Sequence, residues 1–374
     1  MKKLRQKKRK NYCQRRIGLY NLKLESVAIG SLPHTNLNDA MSLVVDTFSN
    51  IPFWPQMVKL SKNEDMIIQF TEKMPSFFAG KSFLDVEYDS FYEDLEELFI
   101  DYESVIAGDA ENNLVDKYKI SAEYSVAFGR FIEIIKTIRP KYAKGQIVGP
   151  FTLATTLVDK DGKCAIYDDT LKDIITKTLT LKALWQIKEI KSACEGTVPI
   201  IFIDEPSISQ LGTSAFVTIS ENEVLCMLKT VSDAIKHAGA ISAIHCCGKC
   251  DWKVPMMSGV NMINLDAYCY AQNLSIYYKE VQKFLESGGK IVWGVVPTLD
   301  KPALESAETE IIEECFYKAI KYLTNKGINE KLIIENSLIS TSCGAGSLSV
   351  ELAQKAFRLT KEVSDRLKER YNDI

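Results

Sequence analysis

Short apolar runs recur along most of the chain, and each is followed by a loop rich in Gly, Pro or polar residues and then by a helix-length segment. Short runs that contain β-branched residues are typical of buried strands. Strands that alternate with helices are typical of a parallel sheet. We predict eight strands, at residues 26–29, 51–56, 146–148, 199–203, 241–244, 262–265, 291–296 and 338–341.

Eight strands with intervening helices predict an α/β protein of the (β/α)8 type, a TIM barrel. We expect a single barrel domain over residues 21–374. Residues 57–144, between the second and third predicted strands, interrupt this alternation of strands and helices. We interpret this segment as an inserted, mostly helical excursion, with a short hairpin at 66–70 and helices at 89–103 and 122–137.

The residues that follow the fifth predicted strand are typical of a metal site. Side chains alternate along a strand, so His245 and Cys247 should lie on one side of its end while Cys246 points away. An imidazole and a thiolate suit a tetrahedral Zn²⁺ ion, and Cys343, after the last strand, is the candidate third ligand. A zinc ion with three protein ligands keeps a position for water or a substrate thiol, which is the catalytic arrangement.

Other interpretations of these cysteines remain open. Cysteines are often small buried hydrophobic residues without a chemical role. The run Cys247-Gly248-Lys249-Cys250 is also a C-x-x-C pair, although a thioredoxin-like setting is not evident around it. A binding module without catalysis would have a closed site with four ligands, completed by Cys246 or Cys250.

Two further loops carry candidate residues. Gly30-Ser31-Leu32-Pro33-His34 predicts a tight turn whose hydroxyl and backbone N–H groups can hold a carboxylate, or a plain turn. His34 is a candidate proton shuttle or methyl-donor contact, or a histidine with only a structural hydrogen bond. Glu205 is a candidate general base or orienting carboxylate, or a loop carboxylate bonded to backbone N–H groups.

Composition narrows the class of protein. The chain has 374 residues, of which 46% are hydrophobic and 25% charged, as in ordinary globular proteins. No apolar run reaches the length of a membrane span, and the N-terminus lacks the apolar core of a signal peptide, so we expect a cytoplasmic protein with reduced cysteines and no membrane partner. The absence of a glycine-rich nucleotide loop followed by Lys argues against ATP chemistry.

Charge is concentrated at the N-terminus. Nine Lys or Arg residues and no acid lie in the first sixteen residues, so the formal net charge of −3 leaves −12 on residues 17–374. We interpret residues 1–20 as a disordered, solvated basic tail. A basic arm can also recruit an acidic protein or nucleic acid, but we predict no nucleic-acid partner.

Taken together, the strand-end motifs resemble a known family. The motifs are Ile29-Gly30-Ser31, Gly149-Pro150-Phe151-Thr152, Ile203-Asp204-Glu205-Pro206, His245-x-Cys247 and Cys343-Gly344. In this order they resemble the catalytic barrel of cobalamin-independent methionine synthase. That family belongs to a superfamily with uroporphyrinogen decarboxylase and the zinc methyltransferases of methanogens. The resemblance covers most of residues 24–360.

The resemblance implies roles for these residues. Ile29, Gly30 and Ser31 would bind the carboxylate of homocysteine and Asp204 its amino group. His245, Cys247 and Cys343 would bind zinc, which makes a coordinated thiol ionise near neutral pH. Asp266 stands where the family has a glutamate ligand, and would be a fourth ligand or a partner of the ligands.

Departures from the family concern the amino group and the methyl donor. Gln56 stands where a glutamate that helps to hold the amine is expected, and Thr156 stands near the place of a tryptophan that binds folate. The chain therefore resembles the single-barrel "core" type most closely. This implies a cytoplasmic, zinc-dependent methyltransferase of methionine biosynthesis. Its methyl donor would be a methylcobamide carried by a corrinoid protein, with methyl-folate less favoured.

Two alternatives share the superfamily. A decarboxylase of the uroporphyrinogen type needs arginines for its many carboxylates, and none of the nine arginines lies at a predicted strand end. A second alternative keeps zinc and methyl transfer but uses another small thiol, such as coenzyme M. Ser31 and Asp204 favour an amino-acid acceptor.

Overall fold

The computed structural model describes residues 22–78, 81, 83–108 and 113–372. The predicted basic tail at residues 1–20 lies outside the described residues. Among the helices of the described ranges, none is both long and apolar enough to cross a lipid bilayer.

A single parallel sheet of six strands, ordered in space as along the chain, forms a half-barrel. The six strands confirm six of the eight predicted ones, although the first begins at Tyr142 rather than at Gln146. They are β1 (Tyr142–Val148), β2 (Val198–Asp204), β3 (Ile241–Cys246), β4 (Met262–Asp266), β5 (Lys290–Val296) and β6 (Ser337–Thr341).

Helices precede, connect and follow these strands. In chain order they are α1 (Leu37–Phe48), α2 (Phe91–Ala107), α3 (Phe128–Ile138), α4 (Pro150–Thr156), α5 (Asp169–Ala193), α6 (Glu221–His237), α7 (Lys253–Met257), α8 (Ala267–Leu274), α9 (Tyr278–Glu286), α10 (Lys301–Ser306), α11 (Thr309–Thr324), α12 (Glu330–Glu335) and α13 (Val350–Arg370).

The two faces of the sheet bury different residues because side chains alternate along each strand. The outer face packs against the helices in one large apolar core. A smaller apolar cluster fills the inner face and includes Ile200, Phe202, Ile241 and Ala243. Two residues further along β2 and β3, the inner positions become polar, so a buried polar layer covers the carboxyl ends of the strands.

The prediction of a closed eight-stranded barrel is wrong, because two of the eight predicted strands are not strands. Residues 26–29 and 51–56 make only isolated parallel bridges. These bridges pair Ser26 with Ile339 of β6, Ser31 with Gln56, and Phe53 with Lys144 of β1. Both segments therefore lie near the edges of the sheet without continuing its ladder.

Two local features explain why the ladder stops beside β1. Pro52 and Pro55 have no N–H group, so this segment cannot donate regularly to a neighbouring strand. In addition, the side-chain amide of Gln186 on α5 occupies the edge of β1. It accepts from the Gln146 N–H at 3.1 Å and donates to the Gln146 carbonyl at 2.9 Å, which satisfies backbone groups that another strand would otherwise pair.

The excursion contains α2, α3 and three short 3₁₀ turns at Lys62–Glu64, Ile68–Phe70 and Leu114–Tyr118. The predicted hairpin at 66–70 is wrong. The Asp65 carboxylate accepts from the N–H groups of Ile67 and Ile68, at 2.9 and 3.4 Å, and so favours a turn at this point. Periodicity cannot distinguish such a turn from a short strand.

The first testable prediction concerns Gly294 on β5, where the backbone leaves no room for a side chain. A Cβ atom there would lie 2.5 Å from the Leu265 carbonyl oxygen and 2.8 Å from the Ser342 Cα. Gly294→Ala should therefore lower the free energy of unfolding by about 1–3 kcal/mol, measured by urea denaturation. The matched control is Gly129→Ala, since a Cβ there meets nothing within 4 Å. Equal stability of Gly294→Ala and the parent would refute the crowding.

Candidate metal centre

The three residues predicted as metal ligands come together. One ligand atom each from His245, Cys247 and Cys343 lies within 4.8 Å of the other two. His245 is buried, and both cysteines are half-buried. Two stretches of chain far apart in sequence thus supply one nitrogen and two sulfurs to a single point, as predicted.

Strand β3 positions two of these side chains. His245 shares the inner face with Ala243 and Ile241, whereas Cys246 is fully buried on the other side. Cys247 follows directly after the strand. Gly248 then allows a close approach of the turn that follows β2, because a Cβ at Gly248 would lie 2.7 Å from the Ser209 Cβ.

Cys343 is held by a threonine that follows β5. The Thr298 hydroxyl accepts from the Cys343 N–H at 3.0 Å and donates to the Cys343 carbonyl at 2.9 Å. The Thr341 hydroxyl also donates to that carbonyl, at 2.8 Å. These bonds hold the backbone at Cys343, so the point from which its side chain extends is set by Thr298 after β5 and Thr341 at the end of β6.

The imidazole of His245 has one bonded and one free nitrogen. Nδ1 lies 2.5 Å from Oδ1 of Asn264 on the neighbouring strand β4. Nε2 is buried and has no hydrogen-bond partner of good geometry in the described part of the chain, and the nearest reactive group to the ring is the Cys247 sulfur. A buried nitrogen without a partner is costly, and a metal ion would satisfy it.

The three ligand side chains shift one another's pKa values. The adjacent Cys343 thiol and the His245 ring outweigh burial and lower the pKa of Cys247 to about 4. The proton is shared unequally, so the pKa of Cys343 lies well above its ordinary value. Burial lowers the pKa of His245, but the Cys247 thiolate outweighs it and raises the value to about 9.

This donor set fits a thiophilic divalent cation. Thiolate and imidazole ligands together select zinc or a similar metal rather than calcium or magnesium, which prefer oxygen ligands. The free Nε2 atom and the readily ionised Cys247 are both suited to bind a cation directly. The residues present therefore fit a metal ion with one imidazole and two thiolate ligands.

Asp266 lies outside this three-residue group. Its Oδ1 atom accepts from the Cys269 N–H at 2.9 Å and caps the N-terminus of α8. Burial raises the pKa of Asp266 to about 6, with a further rise from the Cys247 thiolate nearby. The structure thus places Asp266 as a helix cap that influences the centre electrostatically.

Asp204 lies beside His245 at the end of β2. The two residues are Cα partners in the parallel ladder. The Asp204 Oδ1 atom is buried and has no hydrogen-bond partner among the residues described. Burial raises the pKa of this carboxyl, and the nearby His245 and Lys144 oppose the rise.

Lys144 is a polar residue of the inner face that the sequence analysis assigned to the excursion rather than to β1. Its Nζ atom donates to Gln146 Oε1 at 3.0 Å and lies 4.6 Å from the centre of the Phe202 ring. Burial lowers the pKa of Lys144 to about 8, although Asp204 opposes this. Lys144 and Gln146 lie two residues apart in β1 and therefore share one face of the sheet. This alternation is the sequence signal that could have identified both residues.

The loop after the first predicted strand packs against the loop of Cys343. Ser31 Oγ accepts from the Gly346 N–H at 3.3 Å, and a Cβ on Gly344 would lie only 2.0 Å from that oxygen. Gly30 faces the side chains of Gln56 and Gln146. The Ile29 side chain belongs to the inner apolar cluster, so only its backbone is available to a ligand.

Glu205, predicted as a candidate base, has both carboxylate oxygens occupied. Oε1 accepts from the Phe151 N–H at 2.9 Å, while Oε2 accepts from the Thr152 N–H and hydroxyl at 2.8 and 2.7 Å. Burial raises the pKa of Glu205 to about 7 against these three bonds. Gly149 permits this packing, since a Cβ there would lie 1.9 Å from the Glu205 Cδ. Glu205 thus holds the first turn of α4.

His34 also lies outside the metal-ligand group. It is buried, and neither ring nitrogen has a hydrogen-bond partner in the described ranges. Burial lowers the pKa of His34, with opposition from Asp39. The ring is therefore neutral near pH 7, and no observed contact connects it to the metal centre.

A cavity of about 300 Å³ lies between the excursion and the end of α4. Its walls include Ile68, Phe77, Tyr124, Thr156 and Leu157. None of the residues predicted to bind the metal or the amino-acid substrate lines this cavity, although Thr156, at the place of the family's folate-binding tryptophan, does.

Comparison with known proteins gives no family assignment. Neither a protein-family model nor a curated protein matches the chain.

The second prediction concerns Glu205. Glu205→Gln should lower the free energy of unfolding by about 2–4 kcal/mol, because an amide NH₂ would face groups that are themselves donors. Chemical denaturation measures this change. The control is Glu195→Gln, since Glu195 is exposed. A Glu205→Gln protein with parental stability would show that the three hydrogen bonds contribute little.

Proposed function

We propose that this chain is a zinc-dependent S-methyltransferase that moves a methyl group from an external donor to a thiol, namely homocysteine, to give methionine. The observation that carries the proposal is the convergence of His245, Cys247 and Cys343, with a buried Nε2 atom that lacks a partner. The resemblance of the strand-end motifs to the methionine synthase family supports the same function.

Three protein ligands are the number found in catalytic zinc sites, where a further position is kept for water or substrate. When bound, zinc lowers the pKa of a coordinated thiol, so that the sulfur is nucleophilic near neutral pH. The remaining chemistry depends on how the protein orients the thiol and the methyl donor.

The chain offers groups for the rest of the amino acid. The free Asp204 oxygen, buried beside His245, can accept hydrogen bonds from the substrate ammonium group. The Ser31 hydroxyl can donate to the substrate carboxylate, because it lies against the loop that carries Cys343. These contacts would place the substrate sulfur at the metal centre.

The reaction balances without a redox partner. The thiol loses its proton to solvent, and the sulfur electron pair attacks the methyl carbon. A sulfur–carbon bond forms as the bond between the methyl carbon and the donor breaks, and the donor retains that electron pair. We propose a methylated corrinoid on a partner protein as the donor, as the single-barrel family type implies.

Charge favours an aminothiol over an anionic thiol. Asp204 and Asp266 place two carboxyl groups near the thiolates. Lys144, the lysine whose charge acts on Asp204, is buried and already bonded to Gln146. The arginines of the described ranges lie on α3 and α13 or directly after α3. A substrate ammonium group would therefore be stabilised here, whereas a sulfonate or several carboxylates would be repelled.

The third prediction concerns the metal. Zinc-loaded protein should contain about one tightly bound ion per chain, and Cys343→Ser should weaken binding at least about a hundredfold because it removes a ligand. Elemental analysis and chelator competition measure both effects. Cys226→Ser is the matched control, since Cys226 is an exposed cysteine on α6. Full zinc retention by Cys343→Ser would exclude Cys343 as a ligand.

The fourth prediction is the reaction itself. Zinc-loaded protein with homocysteine and methylcobalamin should form methionine, and Cys343→Ser should form about a hundredfold less because the thiol is no longer activated. Product is measured by mass spectrometry, and Cys226→Ser should retain parental activity.

The donor and the acceptor are tested separately. Methionine from methyl-folate alone would overturn the corrinoid assignment. Zinc-loaded protein that methylates coenzyme M but not homocysteine would overturn the assignment of the acceptor. No methylated thiol from any of these combinations, with metal bound, would overturn the proposed function.

A further inference from the structure

The second ring nitrogen of His245 contacts an asparagine that the sequence analysis did not single out. His245 and Asn264 are Cα partners on β3 and β4, and Nδ1 lies 2.5 Å from Oδ1. Asn264 is fully buried. A contact of this kind can determine which ring nitrogen carries the proton and which one is free for a metal.

The orientation of the Asn264 amide follows from its other partners. Its Nδ2 atom donates to the Val292 carbonyl at 2.9 Å, and a carbonyl can only accept. The same atom lies 2.8 Å from Ser340 Oγ, whose own proton goes to the Thr341 carbonyl at 3.0 Å. Both amide protons are therefore used, and the oxygen must face His245.

An amide oxygen accepts hydrogen bonds and never donates them. The neutral His245 ring must therefore carry its proton on Nδ1, which leaves the lone pair on Nε2. That atom is the nitrogen without a hydrogen-bond partner in the described part of the chain. The strand register, together with the bonds of Asn264 to Val292 and Ser340, thus aligns the ring for metal binding.

We infer that Asn264 is a positioning residue, which sets the tautomer and the orientation of His245 so that Nε2 binds the metal. The inference rests on the metal site of the proposed function and extends it to a residue outside the ligand set. A neutral acceptor is well suited here, because it orients the ring without adding a third carboxyl group to a layer that already holds Asp204 and Asp266. Val292 and Ser340 in turn hold Asn264.

The test compares Asn264→Leu, which keeps the volume but removes the acceptor, with Asn273→Leu. Asn273 is a largely buried asparagine on α8 whose side-chain oxygen has no hydrogen-bond partner among the described residues. The probe is Co²⁺, bound by the full chain in competition with a chelator. Asn264→Leu should weaken Co²⁺ binding about 10- to 100-fold, the usual effect of removing a partner of a metal ligand, and Asn273→Leu should not.

A spectroscopic measurement on the parent protein makes the test independent of variant folding. The chain has three histidines, so the imidazole ¹⁵N spectrum of the zinc-loaded protein is simple to assign. We expect His245 to bind zinc through Nε2 and to keep a slowly exchanging proton on Nδ1. In Asn264→Leu, that proton should exchange rapidly with solvent.

Each outcome is decisive. Zinc binding through Nδ1, or equal Co²⁺ affinity of Asn264→Leu and the parent, would overturn the role of Asn264 even if methyl transfer is observed. Weakened Co²⁺ binding by Asn264→Leu, in a parent that binds metal but transfers no methyl group, would support Asn264 and overturn only the proposed function. A parent that binds neither Zn²⁺ nor Co²⁺ would overturn both.

Discussion

The parallel register of β2, β3 and β4 is the constraint on which the rest of the site depends. Asp204 pairs with His245, and His245 pairs with Asn264. All three therefore lie in one row on the inner face, above the apolar residues of the same strands. A slip of one residue in any of these strands would turn its polar side chain to the outer, helix-covered face. Apolar packing on both sides of the sheet thus fixes the chemistry at its end.

The register accounts for the positions of His245 and Cys247 but not for the third ligand, since Cys343 lies on a loop. Its position depends on the Thr298 hydroxyl and on Ser31, which packs against Gly344 and Gly346. Loops are often mobile, yet these contacts tie the loop after β6 to the loop after β5 and to the first extended segment. The segment that fails to form a regular strand still contributes to the site, because Ser31 fills the space that two glycines leave.

Sequence patterns predicted those features that local composition determines. Five of the six strands were predictable because each is largely an apolar run that ends at a polar or glycine-rich loop, and the ligand triad followed from those strand ends. Only the end of β1 was predicted, because Lys144 and Gln146 interrupt its apolar pattern. The sequence did not indicate that the barrel fails to close, because the segment at 51–56 is also an apolar run. Its two prolines and the amide of Gln186, which approaches from far along the chain, decide its pairing. Asn264 was missed because its role arises only from the neighbouring strands.

Asp204 and Glu205 show why a carboxylate at a strand end does not by itself indicate a function. The two are adjacent in sequence and both are buried, yet alternation sends them to different surroundings. Glu205 meets three donors at the start of α4, and these bonds direct both of its oxygens to the protein rather than to a substrate. Asp204 keeps an oxygen without a donor among the described residues. An unsatisfied buried polar group costs about 1–3 kcal/mol, and a cationic ligand beside His245 would recover that cost. The unsatisfied carboxylate is therefore the better candidate for substrate binding, and the satisfied one stabilises the fold around it.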